Sequence, residues 1–91
     1  MNAPEHVDRA DAGQRQISVQ YFALLREQAR RSAEQITTSA RTPRELFAEL
    51  TARHGFTLTP DMLKVAVNAE FTDWSHQLEA GDAVVFIPPV E

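Results

Sequence analysis

The stretch AVVFIPPVE, residues 83–91, sets five apolar residues directly before two prolines. A short run that is apolar on both faces reads as a central strand, covered on at least one side. Pro88 and Pro89 cannot donate to a ladder, and they hold the backbone extended. The strand therefore leads into a stiff tail that carries Val90 and the carboxylate of Glu91. A partner can grasp such a projecting end. The plainer reading, an edge segment stopped by prolines, accounts for Pro88 and Pro89 but not for the apolar Val90 after them.

The flanking sequence supplies the rest of a small sheet. EAGD at 79–82 is a tight turn around Gly81, and LKVAVNAEF at 63–71 alternates through Leu63, Val65 and Val67 as one strand. QISVQYF at 16–22 alternates Ile17, Val19 and Tyr21 against Ser18 and Gln20. ALLREQARRSAE at 23–34 is rich in helix formers with a short apolar face, giving a helical turn or two. In EQITTSA at 34–40, Ile36 and two threonines favour a second strand.

The helix at 43–54 has the strongest local signals. Thr42 is its N-cap, Pro43 takes the first helical position, and Glu45 falls three residues after the cap. Leu46, Phe47 and Leu50 form a buried stripe, with Arg44, Glu49 and Arg53 towards water. Gly55 closes the end in a left-handed conformation. The order is strand, strand, helix, strand, final central strand. One main helix packed on a small mixed sheet, with first and last strands adjacent, is an α+β solution.

The chain has 91 residues, enough for one core, and is 43% hydrophobic and 24% charged. Residues 1–15 read as a disordered polar tail, 16–87 as the domain and 88–91 as an extended C-terminal tail. With 9 basic and 13 acidic residues the net charge is −4, which argues against nucleic-acid binding. Absence of cysteine excludes disulfides and thiolate chemistry. Apolar runs are one strand long, so no membrane span is expected, and a cytoplasmic location is the default.

Catalytic constellations are missing. His6, His54 and His76 lack partners at metal-ligand spacing, and His54 suits a helix C-terminus. The glycines Gly13, Gly55 and Gly81 form no phosphate loop. Catalytic, cofactor and metal residues are accordingly read as none. Arg26 and Arg30 share a helical face, and Glu27 stands four residues before Arg31. A solvated face with ion pairs is the expected reading of that cluster. Trp74 and Leu78 are expected to cover the open end of the core.

One longer segment, VAVNAEFTDWSHQLEAGDAVVFIPPV at 65–90, resembles the C-terminal half of the molybdopterin synthase small subunit, a ubiquitin-like sulfur-carrier family. The matching features are Val67-Asn68 with Glu70, Leu78 with Gly81-Asp82, Val84, and Pro88-Pro89-Val90. VQYFALLREQA at 19–29 and TPRELFAEL at 42–50 resemble the family's first strand with its helical turn and its main helix. The Pro-Pro-Val element favours this branch over the thiamin-biosynthesis carrier.

The resemblance implies a ubiquitin-like β-grasp fold and a role in molybdenum cofactor biosynthesis. Family members end in Gly-Gly. An adenylating activating enzyme activates the terminal carboxylate, which becomes a thiocarboxylate, and the tail inserts into the molybdopterin synthase large subunit. Phe86, Pro88, Pro89, Val90 and Glu91 are then the expected partner-binding tail. Here the Gly-Gly pair is absent, and Glu91 stands where the linking residue precedes it. Either the working protein continues beyond Glu91, which the close match of the tail favours, or the chain is a β-grasp protein-binding module of this family without sulfur transfer.

Overall fold

The structure, a computed structural model, describes residues 13–89. Strand β1 (Arg15–Tyr21) is followed by a short helix α1 (Ala23–Ala29), strand β2 (Ala33–Thr38) and the main helix α2 (Pro43–His54). A single 3-10 turn (Pro60–Met62) then leads to β3 (Lys64–Val67), β4 (Glu70–Thr72) and β5 (Ala83–Ile87). Among the described residues no helix is long and apolar enough to cross a membrane.

The five strands form one mixed sheet in the order β2-β1-β5-β3-β4. β5 is central, parallel to β1 and antiparallel to β3, as the apolar run at 83–87 predicts. The first and last strands are therefore neighbours. Parity sorts the side chains: Ile17, Val19 and Tyr21 of β1, Val65 and Val67 of β3, and Val84 and Phe86 of β5 all face the core.

Helix α2 covers that face with Leu46, Phe47 and Leu50. Its start follows the predicted chemistry. Thr42 accepts from the Glu45 amide at 3.2 Å, and Glu45 reaches back to the Arg41 amide at 2.7 Å, one residue before the usual box partner. Gly55 ends it at φ 76°, donating its amide to the Thr51 carbonyl. Leu78 is buried and Trp74 packs against the core, closing its open end. The Trp74 ring stacks on Phe86 at 5.7 Å, and Phe86 meets Phe47 edge-on at 5.0 Å.

Two expectations are corrected. LKVAVNAEF is not one strand: Asn68 and Ala69 take positive φ, 53° and 73°, and fold it into a hairpin with β4 as a fifth strand. Nor does Glu27 pair with Arg31, because α1 ends at Ala29 and Arg30 turns left-handed at φ 63°. Arg31 thus leaves the helix and pairs with Glu34 at 3.2 Å instead.

Candidate functional site

The described tail leaves the middle of the sheet. Ile87 is still held opposite Lys64 of β3, and the chain continues through half-buried Pro88 to exposed Pro89. Val90 and Glu91, the outer part of the expected tail, lie outside the described residues. Phe86, expected to show apolar atoms beside the prolines, is instead completely buried. Its parity places it with Val84 in the core, so it anchors the strand from which the tail departs.

The start of β5 is fixed as firmly as its end. Asp82 accepts the Asn68 side-chain amide at 3.0 Å on one oxygen and the Glu79 backbone amide at 2.9 Å on the other. Asn68 returns its side-chain oxygen to the Ala83 amide at 3.0 Å and donates its own amide to the Ala83 carbonyl at 2.8 Å. The Gly81 amide bonds the Gln16 carbonyl at 2.8 Å, and Gly81 sits at φ 88°, where a side chain is strained. Asn68, Gly81 and Asp82 are therefore register pins. A slip of one residue would send Phe86 to the outer face and redirect the tail.

Around the tail root the surface is apolar. A shallow cavity of about 360 Å³ is lined by Asp61, Met62, Leu63, Lys64, Ile87, Pro88 and Pro89. Thr59 donates to Asp61 at 2.5 Å, which holds that carboxyl below its ordinary range. Met62 is 50% exposed at the rim, and Phe22, which follows the β1 residue paired with Phe86, is 40% exposed. On the outer face of the sheet Phe71 (69% exposed), Ala66 and Val85 stand in one cross-strand row. Exposed apolar area of this kind, beside the exit of Pro88 and Pro89, suits a docking surface.

Among the described residues no group of three candidate metal ligands comes together. A buried polar cluster does exist on the β2 flank of the same end of the sheet, and the sequence reading missed it. Tyr21 donates its hydroxyl to Glu34 at 2.5 Å, and His54 Nε2 donates to the same oxygen at 2.7 Å. Burial alone would raise the Glu34 carboxyl, but the bonds from Tyr21 and His54 and the charges of His54 and Arg31 bring it below its ordinary range. Burial first, then the bond to Glu34 and its charge, push the Tyr21 hydroxyl far above the usual value. The signal was present: Glu34 shares its strand face with Ile36 and Thr38, so it had to point inward and find partners. The cluster ties β1, β2 and the end of α2 together.

The comparisons with known proteins agree with this architecture. No curated protein matches the chain. Among solved structures it is similar to a proposed molybdopterin converting factor subunit 1 of Pyrococcus furiosus, at 32% identity and TM-score 0.71, over 84% of this chain and 99% of that one. It is also similar to a chain in the complex of subunits 1 and 2 of molybdopterin-converting factor from Helicobacter pylori, at 25% identity and TM-score 0.58, over 82% and 95%. Small archaeal modifier protein 1 of Haloferax volcanii shares the fold, at 22% identity and TM-score 0.72, over 84% and 99%. The ThiS family model matches residues 19–91, nearly the whole sheet and helix with the tail, and the chain belongs to the ThiS family.

Proposed function

We propose that this chain is the small subunit of a molybdopterin synthase, a sulfur carrier whose C-terminal tail enters the active site of a large subunit. The observation that carries the reading is the exit of Pro88 and Pro89 from the central strand, beside an exposed apolar rim. The Pyrococcus likeness and the two-subunit Helicobacter complex support the choice of partner.

The division of labour follows from the chemistry of a carboxylate. A carboxylate is a poor electrophile until adenylated, so an activating enzyme must act on the terminal group before sulfur can replace oxygen. This chain supplies delivery. Phe86 holds the tail root in the core, and Pro88 and Pro89 keep the exit straight, lowering the entropy lost on insertion. Phe71, Val85 and Met62 are available to meet the partner's surface.

Co-purification with a molybdopterin synthase large subunit tests the docking half of this reading. Association should occur with and without appended glycines, because the apolar rim and the proline tail are present in both. Replacing Phe71 with aspartate should abolish it while leaving the fold intact. Failure of both forms to associate would remove the synthase reading and leave a β-grasp binding module.

A further inference from the structure

A six-residue strand, β2, forms one edge of the sheet, and among the described residues nothing pairs with its outer side. The Tyr21 amide bonds the Ser32 carbonyl, so antiparallel alternation gives Glu34, Ile36 and Thr38 to β1. The backbone groups of Ala33, Gln35 and Thr37 then point outward, unpaired. The Ser18 amide, bonded across to Asp82 of the loop before β5, confirms the alternation from the neighbouring strand.

Exposed edges are normally blunted by lysine, proline, a bulge, shortness or an inward-pointing charge. The opposite edge, β4, has only three residues. Of these guards β2 has only the inward charge, since the chain's single lysine is Lys64 on β3 and the strand reads AEQITT. Its one charge, Glu34, turns inward and is already bonded by Tyr21, His54 and Arg31.

Charge selects the occupant. Arg30 and Arg31 precede the strand and Arg41 follows it, while Arg15 reaches the Ala40 carbonyl at 2.7 Å beyond its end. Neither Arg30 nor Arg41 has a salt-bridge partner among the described residues. A second copy added antiparallel would bring Arg30 and Arg31 of one chain to Arg41 of the other, like against like. Beside the edge lies a shallow trough of about 400 Å³ on the outer sheet face, with small Ser18, Ala33 and Ala83 in its lining. We propose that the β2 edge binds an extended segment of a partner protein as a sixth strand, with small aliphatic side chains over that trough and carboxylates at both ends.

The test uses the full chain and a capped peptide of alternating valine and threonine with two glutamates at each end, followed by amide NMR and hydrogen exchange. Binding should protect the Ala33, Gln35 and Thr37 amides. A lysine-ended peptide should bind about tenfold more weakly, from two or three lost surface ion pairs. Gln35→Pro removes an outward donor without touching the β1 ladder and should weaken binding by more than about tenfold. Arg30→Glu with Arg41→Glu is the second variant and should cost about tenfold. No binding, equal binding of the lysine-ended peptide, or an unaffected Gln35→Pro chain would overturn the proposal. So would shifts centred on Phe71 and Val85, a dimer that Gln35→Pro dissolves, or binding that appears only after removal of residues 1–12.

Discussion

Replacing Tyr21 with phenylalanine should remove most of the alkaline sensitivity of the fold. Tyr21 is completely buried, and its hydroxyl donates to the Glu34 carboxylate at 2.5 Å. Ionising it would bury a phenolate against a carboxylate, so the folded chain keeps this proton far above the ordinary tyrosine range. The unfolded chain releases the same proton near pH 10. Stability from a raised pKa is fully present below the unfolded value and falls as pH rises above it. One retained proton gives a loss of about 1.4 kcal/mol per pH unit, or about 2 kcal/mol between pH 10 and 11.5. That is a large share of the roughly 5–15 kcal/mol that holds a domain together. Interpretation is simple, because Tyr21 is the only tyrosine, cysteine is absent, and Lys64 is the only lysine. Urea unfolding followed by Trp74 fluorescence at pH 8–11.5 reads the slope. The variant should lose about 1 kcal/mol at neutral pH, since Glu34 keeps His54 and Arg31, and then stay nearly flat into alkali. An unchanged alkaline slope in Tyr21→Phe would refute the reasoning.

Three further outcomes follow from the same structure. Leu50→Ala, at a fully buried position of α2, should cost about 2–5 kcal/mol in urea unfolding; a loss under about half a kcal/mol would mean this face is not core. Ala69→Gly should raise stability by about 0.5–1 kcal/mol, because Ala69 holds φ 73° in the hairpin, and a loss would show that the hairpin turn is different. The lowered Glu34 carboxyl contributes stability above its unfolded pKa that is lost as pH falls through the folded one, so Glu34→Gln should make acid unfolding shallower below about pH 4.

Much of the fold was legible because its signals are local. The Thr42 cap, Pro43 and Gly55 bound α2 within a residue, and the apolar run at 83–87 marks the central strand. The hairpin at Asn68-Ala69 was not legible, since a turn with two positive φ values usually announces itself with glycine at the second position. Here the turn is set by Asn68 bonding Asp82 and Ala83, fourteen and fifteen residues away. The end of the central strand was legible because Pro88 and Pro89 interrupt an apolar run. The burial of Phe86 follows from strand parity with Val84, a pattern that the continuous apolar run obscures. The Tyr21–Glu34–His54 cluster joins residues 13 and 20 positions apart, and only the folded topology brings them together.

The proposed sulfur-carrier role is tested most directly by intact-mass spectrometry after incubation with activating enzyme, sulfur donor and ATP. The chain extended by Gly-Gly after Glu91 should gain one oxygen-to-sulfur exchange at its terminal carboxyl. The chain ending at Glu91 should not: its end falls two residues, or about 7 Å, short of the extended one, against the roughly 3–3.5 Å needed for attack. Sulfur gained equally by the shorter chain would contradict the reach argued for the tail. An extended chain that never gains sulfur would contradict the carrier role itself.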